Sequence, residues 1–262
     1  MNEAHAVDVE VLIAARPETV FGFFTDSESF GRWVGGHIGV ATIDPRVGGE
    51  VRVHYPGPGV YAGGTVLALD APRAFAFTWG YENGRPFAWG STRVDVTLEA
   101  VAGGTRLRLR HSGLPDEVLA RNHRMGWLLC TGLLGDHAAR REHGAGLAAV
   151  VTAWFEAWAA GDSAARADAL GRCLADAGEF QHASAWTRGR PDLATHIENS
   201  RRFMTGLVLE SAGPFEQVHG HVRFPWRVRR GDEVVSTGVN VAAIAADGRF
   251  ARVVGFTDPH SA

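Results

Sequence analysis

The chain contains no lysine: all 26 of its basic side chains are arginine. Schiff-base catalysis, covalent attachment of pyridoxal phosphate and the phosphate-binding lysine of a P-loop are therefore closed to it. Neither G-x-S-x-G nor H-E-x-x-H occurs. The two cysteines, Cys130 and Cys173, stand far apart with no C-x-x-C spacing, which suggests neither a disulfide framework nor a structural zinc site. What remains is acid-base chemistry on histidine, whose neutral ring accepts a proton near physiological pH. His182 alternates with Phe180 and so shares its strand face, expected to point inward, while Glu179 and Gln181 point out. His111 follows Leu107 and Leu109 on one face of another strand, where a buried, hydrogen-bonded role is favoured over a catalytic one. His219 and His221 form an H-x-H pair that could chelate a metal from one strand face. Val218, Val222, Phe224 and Trp226 hold the opposite parity, however, so the pair is expected to face solvent beside Arg223, and no metal site is assigned.

The elements that must position these groups change character along the chain. From Val7 to His111 the pattern has period two: Val7, Val9, Val11 and Ile13; Val51, Val53 and Tyr55; Phe75, Phe77 and Trp79; Thr92, Val94, Val96 and Leu98; Leu107, Leu109 and His111. An antiparallel sheet with one apolar face is predicted, punctuated by Gly48-Gly49, Gly63-Gly64 and Gly103-Gly104. The stretch from Gly57-Pro58-Gly59 to Gly63-Gly64 lacks G-x-G-x-x-G spacing and a following helix, so it reads as a hairpin loop rather than a dinucleotide site. A short helix is expected after Pro17, and a long one from about Asp116 to Arg141 with Val118, Met125, Leu129 and Leu133 as its apolar stripe. Gly144-Ala145-Gly146 is expected to break it. A new amphipathic helix then starts at Leu147, carrying Val150, Val151, Trp154, Phe155 and Trp158, and ends at Gly161-Asp162. A further helix to about Ala177, a strand with Phe180 and His182, a helix over 192–204 and strands near 206–212, 215–229, 234–245 and 249–257 complete the reading.

With 262 residues and about 150 per domain, one large or two ordinary domains are the choices. The glycine pair favours two, 1–143 and 146–262. A hydrophobic fraction of 45% excludes general disorder, and 29 acidic against 26 basic residues advertise no nucleic-acid face. The N-terminus has no basic segment followed by an apolar one, and no stretch reaches the roughly 18 apolar residues of a membrane span, so a cytoplasmic protein without membrane association is expected.

The first half resembles the branch of the START-like (SRPBCC) superfamily named for the activator of Hsp90 ATPase homologue. The matching residues are Arg16-Pro17-Glu18-Thr19-Val20, Thr25-Asp26 through Arg32-Trp33, Asp44-Pro45 with Gly48-Gly49, Phe77-Thr78-Trp79, Gly103 through Leu107, and Gly126-Trp127. The resemblance implies a helix-grip fold, a curved antiparallel sheet around a long C-terminal helix with a ligand cavity between them. Trp33, Tyr55, Trp79, Trp89 and Trp127, with His111, are the candidate ligand-binding residues, flat rings suiting apolar ligands. Core packing would explain them equally well.

The second half is similar to SnoaL-like members of the nuclear transport factor 2-like superfamily, whose cone-shaped α+β barrel is shared by cyclases, isomerases and non-enzymatic binders. Val150-Val151 through Trp154, Ala160-Gly161-Asp162, Arg188-Gly189-Arg190 and Asp247-Gly248-Arg249 carry this resemblance. Compared with the ketosteroid isomerases of that superfamily, Trp154 falls at the position of a tyrosine donor, His182 near that of the carboxylate base, and Asn240 at that of a protonated aspartate donor, nine residues before Arg249. Each type differs, yet indole and amide donate and imidazole accepts. The rival reading makes Trp154 core, Asn240 a satisfied strand amide and His182 a pocket wall. Trp186, Phe224 and Trp226 are candidate cavity walls. The expectation is an α+β protein of two domains: a cofactor-independent cyclase or isomerase for a hydrophobic polyketide-like or polycyclic molecule, or else a carrier or resistance protein that binds one. A homodimer is compatible with either.

Overall fold

The computed structural model describes residues 5–35 and 40–259. The chain is α+β and divides into two compact units, 1–142 and 143–262.

In the first unit, β1 (His5–Ile13), α1 (Pro17–Phe21), α2 (Ser27–Val34), β2 (Val40–Ile43), β3 (Glu50–Tyr55), β4 (Val60–Asp70), β5 (Ala74–Tyr81), β6 (Thr92–Val101) and β7 (Gly104–Leu114) precede the long helix α3 (Glu117–Ala159). The seven strands form one antiparallel sheet in the order β1-β7-β6-β5-β4-β3-β2. Alternation decides which face is buried: Val7, Val9, Val51, Val53, Phe75, Phe77, Leu107 and Leu109 enter the core, while Arg106, Arg108 and Arg110 pair with Glu10, Glu99 and Asp8 on the outer face. Pro17 opens α1, where its missing N–H is no loss, and Asp26 caps α2 by accepting from the Ser29 N–H at 2.7 Å.

The predicted break at Gly144-Ala145-Gly146 does not occur. Helix α3 runs unbroken through it, and both glycines lie exposed on the helix with open space around them. Two glycines weaken a helix by roughly 1 kcal/mol each relative to alanine, too little to interrupt one anchored by burial on both sides. The predicted stripe is also out of phase. Val118, Met125 and Leu129 are exposed, and Leu133 is half-buried; the buried row runs through Ala120, Trp127, Thr131, Leu134 and Ala138. Polar members disguise that row, and each is satisfied: His123 Nδ1 donates to the Leu119 carbonyl at 2.8 Å and Thr131 Oγ1 to the Trp127 carbonyl at 2.7 Å.

The second unit takes the rest of α3, then α4 (Ser163–Cys173), β8 (Leu174–His182), β9 (Ala185–Arg188), α5 (Gly189–Phe203), β10 (Leu207–Ser211), β11 (Glu216–Val218), β12 (His221–Arg230), β13 (Glu233–Ile244) and β14 (Phe250–Thr257). Its sheet has the order β10-β12-β13-β14-β8-β9, with β11 added to β12; β14 and β8 are parallel and the other pairs antiparallel. Helix α4 stops at Cys173, short of the expected Ala177, because Leu174 is already extended and pairs with Phe250. Arg201 donates to the Trp158 and Ala159 carbonyls at 2.8 and 3.0 Å, capping the end of α3. The core gathers Leu147, Val151 and Trp154 of α3, Leu193 and Ile197 of α5, and Phe224, Ala242, Phe250 and Val253 of the sheet. No helix of the described residues is long and apolar enough to cross a membrane.

Candidate functional site

In the second unit, β8, β12 and β13 alternate so that Phe180 and His182, Trp226 and Val228, and Asn240 project to the helix-covered side. There they meet Trp154 and Trp158 from α3 and His196, Ser200 and Met204 from α5 and its end. Together they enclose a cavity of about 170 Å³ that reaches the surface at the exposed Ser184. The structure thus places Trp154, His182 and Asn240 around one cavity. Asn240 and His182 touch a common point: Gly255 pairs with Asn240 across the sheet, and a Cβ there would lie 3.0 Å from Asn240 Oδ1 and 3.2 Å from His182 Cδ2.

The three groups differ in how they are held. His182 Nε2 lies 3.0 Å from Thr257 Oγ1 and Nδ1 3.2 Å from Ser184 Oγ. Hydroxyls donate or accept as required, so neither tautomer of the ring is imposed. Trp154 is 1% exposed; its ring lines the cavity, and its Nε1–H is buried without a hydrogen-bond partner, as is that of Trp158. An unmet indole donor is uncommon in a folded interior. Asn240, 4% exposed, adds an amide. No described lining residue carries a fixed charge.

Of the expected walls, only Trp226 lines this cavity. Phe224 lies wholly buried behind Trp154, stacked on Phe250 at 5.5 Å. Trp186 is 68% exposed, because the register sets it opposite Gln181 on the outer face of the sheet, beside Arg188. The H-x-H pair is not on one strand: His219 and Gly220 both have positive φ and form a two-residue hairpin turn, with Val218 paired to His221. Val218 is correspondingly exposed, and no metal-binding cluster occurs among the described residues.

His196 is the group that sequence reasoning missed. It meets Trp158 edge to face and Phe180 at a tilt, and burial, followed by the neighbouring His182, lowers its pKa from the ordinary value. The signal was present: His196, Ser200 and Met204 follow one another at i+4 beside the buried Leu193 and Ile197.

The first unit has a cavity of about 180 Å³ lined by Tyr55, Trp79 and Trp127 together with Tyr81, His123 and Cys130. The other three candidates lie elsewhere. Trp33 is fully buried in the core and donates to the Phe23 carbonyl at 3.1 Å. Trp89 stands beside Arg52, which sits out of phase with the inward Val51 and Val53 and so belongs to the outer face. His111 is enclosed, bonded to Thr92 and Trp127.

Comparison with curated protein sequences finds no match. Among solved structures, an AHSA1-like protein from Rhizobium etli is 33% identical over 52% of this chain and 82% of its own, with a TM-score of 0.42. The AHSA1 protein from Silicibacter pomeroyi is 24% identical over 50% and 95%, with a TM-score of 0.43. A protein from Agrobacterium tumefaciens described as a candidate isomerase of the SnoaL-like family is 26% identical over 43% and 97%, with a TM-score of 0.41. Residues 14–137 match the family model described as Activator of Hsp90 ATPase homolog 1-like protein, and the first unit is similar to that family.

Proposed function

We propose that the cavity of the second unit binds a small neutral carbonyl compound and moves a proton on it by cofactor-independent acid-base catalysis, as in an isomerase or cyclase. The observation that carries this reading is the meeting of His182, Asn240 and Trp154 on one mainly apolar cavity. His182 removes the proton adjacent to the carbonyl, and the Asn240 amide, with the unspent Trp154 N–H, steadies the charge that develops on the oxygen. The absence of fixed charge among the described lining residues suits a neutral substrate. Size narrows it further. An apolar cavity of about 150 Å³ takes benzene, so about 170 Å³ holds one ring. A polycyclic substrate would place a single ring inside and extend past Ser184. The alternative is a carrier that binds such a molecule unchanged. It is favoured by the two hydroxyls that occupy both nitrogens of His182, with no carboxylate among the described residues to orient the ring.

Exchange of the α-protons of cyclohexanone in D₂O, followed by NMR, separates the two. Catalysis predicts acceleration that falls by about 10² to 10⁴ in His182→Ala and about 10² to 10³ in Asn240→Ala, with the thermal midpoint nearly unchanged. Saturable binding without exchange would establish the carrier, and loss of stability with exchange intact would reduce both residues to packing.

A further inference from the structure

The cavity of the first unit has a hydrogen-bond direction written into it. His123 Nδ1 lies 2.8 Å from the Leu119 carbonyl. A carbonyl only accepts, so Nδ1 carries the hydrogen, and in the neutral ring Nε2 must then be an acceptor. Burial lowers the pKa of His123, which keeps the ring neutral. The Tyr81 hydroxyl, 3.2 Å from Nε2, is therefore the donor in that pair. Having given its hydrogen to His123, the Tyr81 oxygen offers the cavity only lone pairs. Tyr55, on the same cavity, forms no hydrogen bond with any described residue and can give or take one. Trp79 and Trp127 meet edge to face at 5.7 Å and supply flat walls. None of the described lining residues is charged.

We infer that this cavity is a binding site for a neutral single-ring aromatic bearing a hydroxyl, a phenol, seated against the Trp79 and Trp127 wall with its O–H donated to Tyr81 and its oxygen accepting from Tyr55. The volume of about 180 Å³ admits one substituted ring, by the same measure as a benzene-sized cavity. An aromatic ether of equal shape would strand the Tyr81 lone pair, and a charged phenolate or benzoate would find no counter-charge among the described lining residues.

Calorimetric titration of the full chain with phenol, anisole and benzoate tests this. Phenol should bind roughly three- to tenfold more tightly than anisole, the range of one neutral hydrogen bond, with benzoate weakest. Tyr81→Phe should remove the preference for phenol and leave anisole unchanged. Gly126 lines the same cavity on the exposed side of α3, and a Cβ added there would meet nothing within 4 Å. Gly126→Leu should therefore fold at least as well as the parent and abolish binding of both neutral rings. Equal affinity for phenol and anisole, no binding at millimolar phenol, a preference surviving Tyr81→Phe, or binding surviving Gly126→Leu would each overturn the assignment.

Discussion

His111 shows how a single side chain can be read to completion. The Thr92 hydroxyl donates to the Trp79 carbonyl at 2.8 Å, so its oxygen accepts from His111 Nε2–H, also at 2.8 Å. His111 Nδ1 in turn accepts from the Trp127 indole N–H at 3.0 Å. Every position is filled by the neutral ring, and a second proton would set two donors against each other. Burial, with a smaller contribution from His123, lowers its pKa to about 3. The unfolded chain takes up this proton near the ordinary value of about 6.5, so between the two pKa values the unfolded state binds more protons. Stability is fully present above that range and is lost as pH falls through it, by up to about 1.4 kcal/mol per pH unit for one such group. The thermal midpoint of the parent should therefore drop more steeply from pH 7 to pH 4.5 than that of His111→Leu, even though the variant starts lower for want of a partner to Trp127. Parallel slopes would show that another group governs acid sensitivity. The burial of this histidine was legible from its parity with Leu107 and Leu109. The partner that makes it part of a network, Trp127, lies on a helix whose phase the sequence concealed.

At the scale of elements, strands proved more legible than helices, for a physical reason. A strand's two faces are set by a period of two, so Val7 to Ile13 or Thr92 to Leu98 leave one assignment. A helix face admits several neighbouring rows. On α3 the apolar row through Val118, Met125 and Leu129 outranks by composition the buried row that includes His123 and Thr131. Only the partners of those polar groups, which lie on other elements or in the helix backbone, make their burial affordable. The glycine pair misled for a related reason, since local preference was opposed by burial of Ala138 and Ala139 on one side and Leu147 on the other. This opposition has a measurable residue. Gly144 and Gly146 stay exposed inside a continuous helix and meet nothing within 4 Å, so replacing either by alanine should stabilise the protein by about 0.5 to 1 kcal/mol. Denaturant midpoints of the two variants and the double variant check this. A lowered midpoint would mean that the chain uses a bend or a close approach there. Trp186 illustrates the remaining limit: its outward setting follows from the register with Gln181, which no local pattern contains.

For the whole molecule, the question is whether a helix shared by both units makes them one folding unit. The two hydrophobic clusters have no residue in common: the first extends as far as Ala138 and the second begins at Leu147. Between them, Glu142 belongs to the first unit through its partners. It accepts from Arg16 Nε at 2.6 Å and from the Thr19 hydroxyl, and its side chain is only 8% exposed, so α1 is tied to α3 by a carboxylate largely out of water. Arg141 lies 3.8 Å above the Phe23 ring and donates to Ser29 Oγ at 2.6 Å, tying α2 and the preceding turn to the same stretch. The order of these ties along the helix sets where it can be cut. We propose that 1–143 and 146–262 each fold cooperatively, since the division leaves both clusters whole and removes from each unit only helix that its own cluster does not bury. Shortening the first piece to 1–138 keeps every residue of its cluster but deletes the anchors of α1 and α2. Arg16 is 67% exposed, so its ion pair alone is worth about 0 to 1 kcal/mol; with the Thr19 hydrogen bond and the Arg141 contacts to Phe23 and Ser29 the lost ties come to about 2 to 4 kcal/mol, a large share of the stability of a domain this size. Thermal and denaturant unfolding of the three pieces should give cooperative transitions for 1–143 and 146–262 and a much weaker or absent one for 1–138. Equal stability of 1–143 and 1–138 would show the Glu142 and Arg141 contacts to be dispensable. Failure of 146–262 to fold would mean that its helix must enter from the first unit already formed.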